Sequence, residues 1–352
     1  MVNFLPRGLA TGIGSLPHPE TQDALRVMFE TFPTIPYWPQ LPKRDFRENM
    51  YAQFSENLAG VKIDLAHEWL GLVKDDSLMA QIEAFYARYL EDDPDLFAVA
   101  PEAAAGLYAL RHHRAELRNA RWIKGQVTGP ISLGLKIVDQ TLKPMLYDEA
   151  LRDVLVKHIA RKAQWQEKFL SAVGATVPSP LQPIIFVDEP SLALVGASVV
   201  ALNHDEVVRD LEEVFSALHC LTGTHCCGNT DWSMLLQTSV NIISFDAYNY
   251  AENLALFADE VKRFLDRGGV LAWGIVPTVE EHIAAETAES LVARLDAAVN
   301  LLVKKGIDRG LLYARALITP ACGLGPVSPA AAERAFALTR QVSERVRRLT
   351  HF

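Results

Sequence analysis

The run DEVVRDLEEVFSALHCLTGTHCCGNTDWSMLLQTSVNIISFDAYNYAENLALFADEVKRFLDRGGVLAWG, residues 205–274, decides the fold. It opens with apolar residues at helical spacing over 205–217 and passes into a short apolar run at 218–224. A second short run follows at 241–245, a helical pattern returns over 252–266, and a third short run closes the stretch at 269–274. Short apolar runs between turn residues read as strands, and long runs with a 3.6-residue period read as helices. Strands that alternate with helices pair in parallel, with helices covering the sheet.

The same alternation extends outward. Further strands are expected at 9–14, 35–39, 122–127, 183–187 and 313–318, and further helices at 149–173, 279–305 and 329–348. Ser328 stands before Pro329 as an N-cap, the favoured order at a helix start. Eight strands in such units predict an α/β fold closed into a (β/α)8 TIM barrel. Residues 43–121, after the second strand, read as a mostly helical insertion over one rim, so residues 1–352 are expected to form one barrel domain.

The chain has 352 residues, 49% of them hydrophobic, enough for a large core. Its net charge of −9 disfavours a nucleic-acid footprint or polybasic attraction to a membrane surface. The most apolar run, 192–202, is too short to span a bilayer, and the N-terminus lacks the apolar core of a signal peptide. A soluble cytoplasmic protein is expected. With only four cysteines, it is no disulfide scaffold.

In a parallel barrel the chemistry gathers at the C-terminal ends of the strands. Thr224-His225-Cys226-Cys227-Gly228-Asn229 follows one strand, Asp246 the next, and Thr319-Pro320-Ala321-Cys322-Gly323-Leu324-Gly325 the last. Histidine, thiolate and carboxylate together suit zinc. Residues two apart on an extended chain share a face, so His225 and Cys227 can reach one ion while Cys226 faces away. Asp246, one strand over, can close on the same ion, whereas Cys322 must cross the mouth or sit on its loop. The alternative is packing, since a free cysteine behaves as a small hydrophobe; Cys220 and Cys226 are read that way. Asp188-Glu189-Pro190 ends an apolar strand. Its carboxylates either bind amines, water or protons, or complement a helix N-terminus. Thr11-Gly12-Ile13-Gly14-Ser15-Leu16 either lets an anion such as a carboxylate approach free N–H groups or is an ordinary turn. It lacks the dinucleotide-binding spacing. His18, Trp38 and Trp273 either line the pocket or simply lie exposed or packed.

These motifs resemble the catalytic, C-terminal half of cobalamin-independent methionine synthase and the related methylcobamide:thiol methyltransferases. The resemblance to uroporphyrinogen decarboxylase is more distant. It runs from Ile13-Gly14-Ser15 through Val127-Thr128-Gly129-Pro130 to Cys322-Gly323-Leu324. It implies a barrel with a zinc ion on His225, Cys227 and Cys322, and on Asp246 where the synthases carry Glu. It also implies that Ile13, Gly14 and Ser15 hold the carboxylate of homocysteine and that Asp188 holds its amino group. Glu189 would be a proton acceptor or a second amine contact. A second acidic residue that the synthases carry near the end of strand two has no counterpart in Trp38-Pro39-Gln40-Leu41-Pro42-Lys43-Arg44-Asp45. The synthases also have an N-terminal half that helps bind folate, and the resemblance does not extend to it. The resemblance therefore implies a methylated corrinoid protein, acting as partner, as the methyl donor ahead of methyltetrahydrofolate.

The chemistry follows from the residues. A free thiol, with a pKa near ~8.5, is mostly protonated at neutral pH, and coordination to Zn²⁺ removes that proton. Three readings stand: zinc-dependent methyl transfer to homocysteine, giving methionine; transfer to another thiol such as coenzyme M; and a barrel of another class, either a porphyrinogen decarboxylase or a non-catalytic metal binder.

Overall fold

A computed structural model describes residues 4–195 and 202–351. Part of the apolar run 192–202 therefore lies outside the described residues. Strands β1 (Leu9–Ala10), β2 (Val61–Asp64), β3 (Trp69–Leu72), β4 (Trp122–Thr128), β5 (Gln182–Asp188), β6 (Leu221–Cys226), β7 (Ile242–Phe245), β8 (Val270–Val276) and β9 (Ala316–Pro320) follow in chain order. Seven form one curled parallel sheet, β1-β9-β8-β7-β6-β5-β4, and β2 and β3 form a separate antiparallel hairpin. The sheet is buried on both faces. Alternate residues Ile184, Phe186, Leu221, Ile242, Val270, Ala272 and Leu317 pack with Phe4 and Ile35 on its concave side. The intervening positions, such as Ile185, Val187, Ile243 and Leu271, pack against the helices.

The segment expected as a strand at 35–39 makes single parallel bridges rather than a ladder. Tyr37 pairs with Lys124 of β4, and Gln40 pairs with Ser15 beyond β1. Pro36 and Pro39 supply no N–H, which prevents a continuous ladder. The segment still lies between the sheet's two edges. Lys124 N–H donates to Pro36 C=O at 2.8 Å, and Leu16 N–H to Gln40 C=O at 2.9 Å.

Other boundaries also differ from the sequence reading. The run at 313–318 begins inside a helix, Arg309–Ala314, because the Asp308 side chain accepts from Leu311 N–H and starts a turn there. The expected helix 279–305 is two helices, Glu280–Ala285 and Ala288–Val303. Thr287 and Ser290 form a capping box that starts the second. The helix expected over 252–266 is broken at 255–257 by a 3-10 turn. Residues 43–121 hold helices Met50–Ser55, Leu78–Leu90, Ala105–Ala109 and Arg114–Leu117, but also the β2-β3 hairpin. Its turn is made by Asp64, which accepts from the N–H groups of Ala66 and His67, and by Glu68 at φ 48°. Met50 at the head of this insertion accepts from Thr128 Oγ1 at 2.7 Å, which ties the insertion to the C-terminal end of β4.

Among the described residues, no helix is long and apolar enough to cross a membrane.

Candidate metal and thiol site

Strand register assembles the site. β5 and β6 align Asp188 with His225, and β6 and β7 align His225 with Ser244. Paired residues on neighbouring strands point to the same face, so these three side chains stand side by side at the C-terminal ends of the strands. Cys226, one residue on, turns into the helix layer. It is fully buried, and burial pushes its thiol up to about 12. Cys220 is held up by burial too. Neither is among the residues whose ligand atoms come together.

Cys322 follows closely on the end of β9, where β8 carries one extra residue, Ile275. The β8-β9 register shifts between Gly274 and Val276, and Ala321 N–H donates to Val276 C=O at 2.8 Å. The chain crosses close above Gly274, where a Cβ would stand 2.8 Å from Ala321 Cα and 2.5 Å from Phe245 O. Glycine is the residue that permits this crossing.

The result is a cluster of His225, Cys227 and Cys322 whose ligand atoms all lie within 4.8 Å of one another. His225 Nδ1 is 3.0 Å from Ser244 Oγ, while its Nε2 is buried with no hydrogen-bond partner. A buried polar nitrogen without a partner is costly, and a divalent ion accepting its lone pair removes that cost. The Cys322 thiol donates to Cys227, and His225 lies beside it. Cys227 is therefore the thiol drawn down from the ordinary range, and Cys322 the one held up. Two sulfurs and one imidazole are three donors of the kind that hold a catalytic zinc.

Asp246 does not join the cluster. Its carboxylate caps helix Ala247–Leu254, with Oδ1 accepting from Asn249 N–H at 2.9 Å and Oδ2 from Asn249 Nδ2 at 2.6 Å. The strand-end carboxylate thus serves as a helix cap, with His225 and Cys227 near enough to act on it electrostatically. The sequence offered the clue, since Asp at the end of a strand is also a favoured N-cap.

Asp188 is buried beside the cluster, and burial raises its carboxyl while Lys124 and His225 oppose the shift. Its Oδ1 has no hydrogen-bond partner. Glu189 points the other way: its two oxygens accept from Ile131 N–H at 2.9 Å and Ser132 N–H at 2.7 Å. It therefore anchors the turn Thr128-Gly129-Pro130 instead of facing the cluster.

Ile13, Gly14 and Ser15 continue β1 toward the same end. Gly14 C=O accepts from Gln40 N–H, Ser15 C=O from Leu324 N–H, and Ser15 Oγ from Gly325 N–H. Among the described residues, no acceptor meets the N–H of Gly14 or Ser15. The loop that carries Cys322 is thus stitched to the segment that would hold a carboxylate.

His18 is buried, with Nε2 3.5 Å from Glu333. Trp38 packs inside and donates to Gln166 Oε1 at 2.9 Å, and Trp273 is likewise buried. Sequence reasoning missed Ser244, Lys124 and Gln126. Each follows from inward alternation on a strand: Ser244 two residues before Asp246, and Lys124 and Gln126 as polar positions two apart within β4.

Two solved structures are similar to this chain. A B12-independent methionine synthase from Shewanella sp. W3-18-1, in complex with selenomethionine, aligns over 98% of this chain and 99% of its own. The identity is 18% and the TM-score 0.61. A candidate vitamin B12-independent methionine synthase from Listeria monocytogenes covers 70% of this chain and 68% of its own, at 12% identity and a TM-score of 0.44. No protein-family model and no curated protein matches the chain. The Shewanella likeness extends over the whole chain and shows a shared fold.

Proposed function

We propose that this protein is a zinc-dependent thiol S-methyltransferase that converts homocysteine to methionine. The methyl group would come from a methylated corrinoid protein or methyltetrahydrofolate. The observation that carries the reading is the convergence of His225 Nε2, Cys227 Sγ and Cys322 Sγ, with the imidazole nitrogen buried and unpartnered. The shared fold with the Shewanella enzyme supports it. On this reading the segment 35–40, bridged on both sides, closes the curled sheet into a (β/α)8 barrel. Residues 1–352 then act as one cytoplasmic unit, with 43–121 as a cover over the mouth.

Held by His225, Cys227 and Cys322, zinc would keep a coordinated substrate thiol deprotonated at neutral pH. The chain's own residues do the rest. Ser244 accepts the Nδ1 proton of His225 and so presents Nε2 to the ion. The N–H groups of Gly14 and Ser15 receive the substrate carboxylate. Asp188 receives the ammonium, which gives its unpartnered oxygen a donor. The substrate sulfur then attacks the methyl carbon. An S–CH₃ bond forms, and the bond from methyl to donor breaks with its electron pair left on the donor.

The unpartnered Asp188 oxygen favours an amino-acid thiol over an amine-free one such as coenzyme M. An Asp188→Ala variant tests this choice. It should lose homocysteine methylation and spare an amine-free thiol. Equal loss for both thiols would refute the assignment.

A further inference from the structure

The inner face of β4 carries a lysine that the site chemistry above does not use. Lys124 is 1% exposed, sealed on the concave side of the sheet. Its Nζ donates to the backbone carbonyl of Ile13 and to Gln126 Oε1, the latter at 3.1 Å. It also lies 4.6 Å from the centre of the Phe186 ring and 5.6 Å from that of Tyr37. Gln126 Nε2 in turn donates to Trp38 C=O at 3.0 Å, and Gln126 C=O accepts from Gln166 Nε2 at 3.0 Å. One buried ammonium thus gathers the segment after β1, the bridging segment 35–40 and β4.

A buried ammonium is expensive unless its donors are satisfied and a counter-charge lies near. No carboxylate among the described residues pairs with Lys124 directly, and a methionine of similar length would fill the same space without a charge. The cation therefore needs a reason to be there. Its nearest electrostatic partner is Asp188: the lysine opposes the rise that burial imposes on Asp188, and Asp188 opposes the fall that burial imposes on the lysine, which still comes down to about 8.

We infer that Lys124 is a positioning residue for the amino-acid end of the substrate, holding the Ile13 carbonyl so that the N–H groups of Gly14 and Ser15 are set to receive a carboxylate. The inference rests on the thiol reading of the site and deepens it. Lys124 touches neither sulfur nor methyl group, so its effect falls on the binding of one end of the substrate.

The test is calorimetric titration of zinc-loaded wild type, Lys124→Met and Lys124→Gln with homocysteine and with 2-mercaptoethanol, a thiol without amino or carboxylate groups. Loss of a charge-assisted contact predicts a fall in homocysteine affinity of about 10- to 100-fold. The affinity for 2-mercaptoethanol and the zinc content should stay unchanged. Lys124→Gln, which keeps a polar N–H donor without the charge, serves if Lys124→Met does not fold. Homocysteine affinity within twofold of wild type, or equal losses for both thiols, overturns the inference. A wild type that binds neither thiol overturns the thiol reading itself, and that outcome is distinct from the other two.

Discussion

Replacing Ser244 by alanine removes one atom from the site and leaves all three proposed ligands in place. Ser244 Oγ sits 3.0 Å from His225 Nδ1, in a position with no exposure to solvent. The hydrogen bond fixes both the tautomer and the ring angle, so it decides whether Nε2 presents a lone pair to the cluster. Losing a neutral hydrogen bond costs about 0.5–1.5 kcal/mol, and leaving a buried Nδ1 unsatisfied raises this toward about 1–3 kcal/mol. Partners of this kind behind metal-bound histidines typically change metal affinity by about 10- to 100-fold, or about 1.4–2.7 kcal/mol. The two ranges agree, so Ser244→Ala should bind zinc some 10- to 100-fold more weakly. Competition against a chromophoric chelator would read this directly, with urea melts of the metal-free protein to separate folding from binding. A zinc affinity within twofold of wild type, in a folded variant, would refute the argument that Ser244 aims the ring.

Three further outcomes follow from the same structure. Gly129 has an ordinary φ of −71°, but a Cβ there would stand 2.1 Å from Glu189 Oε1. Gly129→Ala should therefore break the carboxylate's two N–H contacts and lower stability in urea denaturation by about 3–5 kcal/mol; a neutral result would contradict the anchoring role of Glu189. Asp246→Asn, which keeps a good cap, should retain full zinc stoichiometry by elemental analysis, whereas His225→Asn should not. Lys162 is 1% exposed, and burial lowers its ammonium to about 8. Against an unfolded value near ~10.4, the folded state binds fewer protons between those two values, so this group's contribution to stability rises with pH across that window. Lys162→Met should accordingly be more stable than wild type at pH 7, by at most about 3 kcal/mol. Thermal melts should show the advantage shrinking as pH climbs from 8 to beyond 10, and an advantage independent of pH would contradict the assignment.

The strands that carry the site were legible because their signals are local. β4, β5, β7 and β8 are apolar runs bounded by turn residues, and the structure places each within two residues of its expected limits. The helix from Pro329 starts where Ser328 says it should, with its side chain accepting from Ala331 N–H. The clustered residues His225, Cys227 and Cys322 could be picked out because alternation and strand-end position carry chemical meaning without any knowledge of distance. Contacts between distant segments were not legible. The role of Asp246 is ambiguous even locally, because a carboxylate at a strand end reads equally as ligand or cap. Glu189 looks like an active-site acid until Ile131 and Ser132 are brought to it from another strand. The 35–39 segment has strand composition, but its prolines reduce it to single bridges. Lys124 and Gln126 were passed over because polar residues inside an apolar strand show their purpose only when the concave face of the sheet is assembled.

His225, Cys227 and Cys322 are proposed to form one metal site that activates a thiol. Zinc X-ray absorption on the purified protein, with and without homocysteine, tests it most directly. The expected result is one zinc per chain, bound by two sulfurs and one imidazole with light atoms completing the coordination, and a third sulfur when homocysteine is added. Protein that takes up no zinc, or a shell that gains no sulfur from homocysteine, would contradict it.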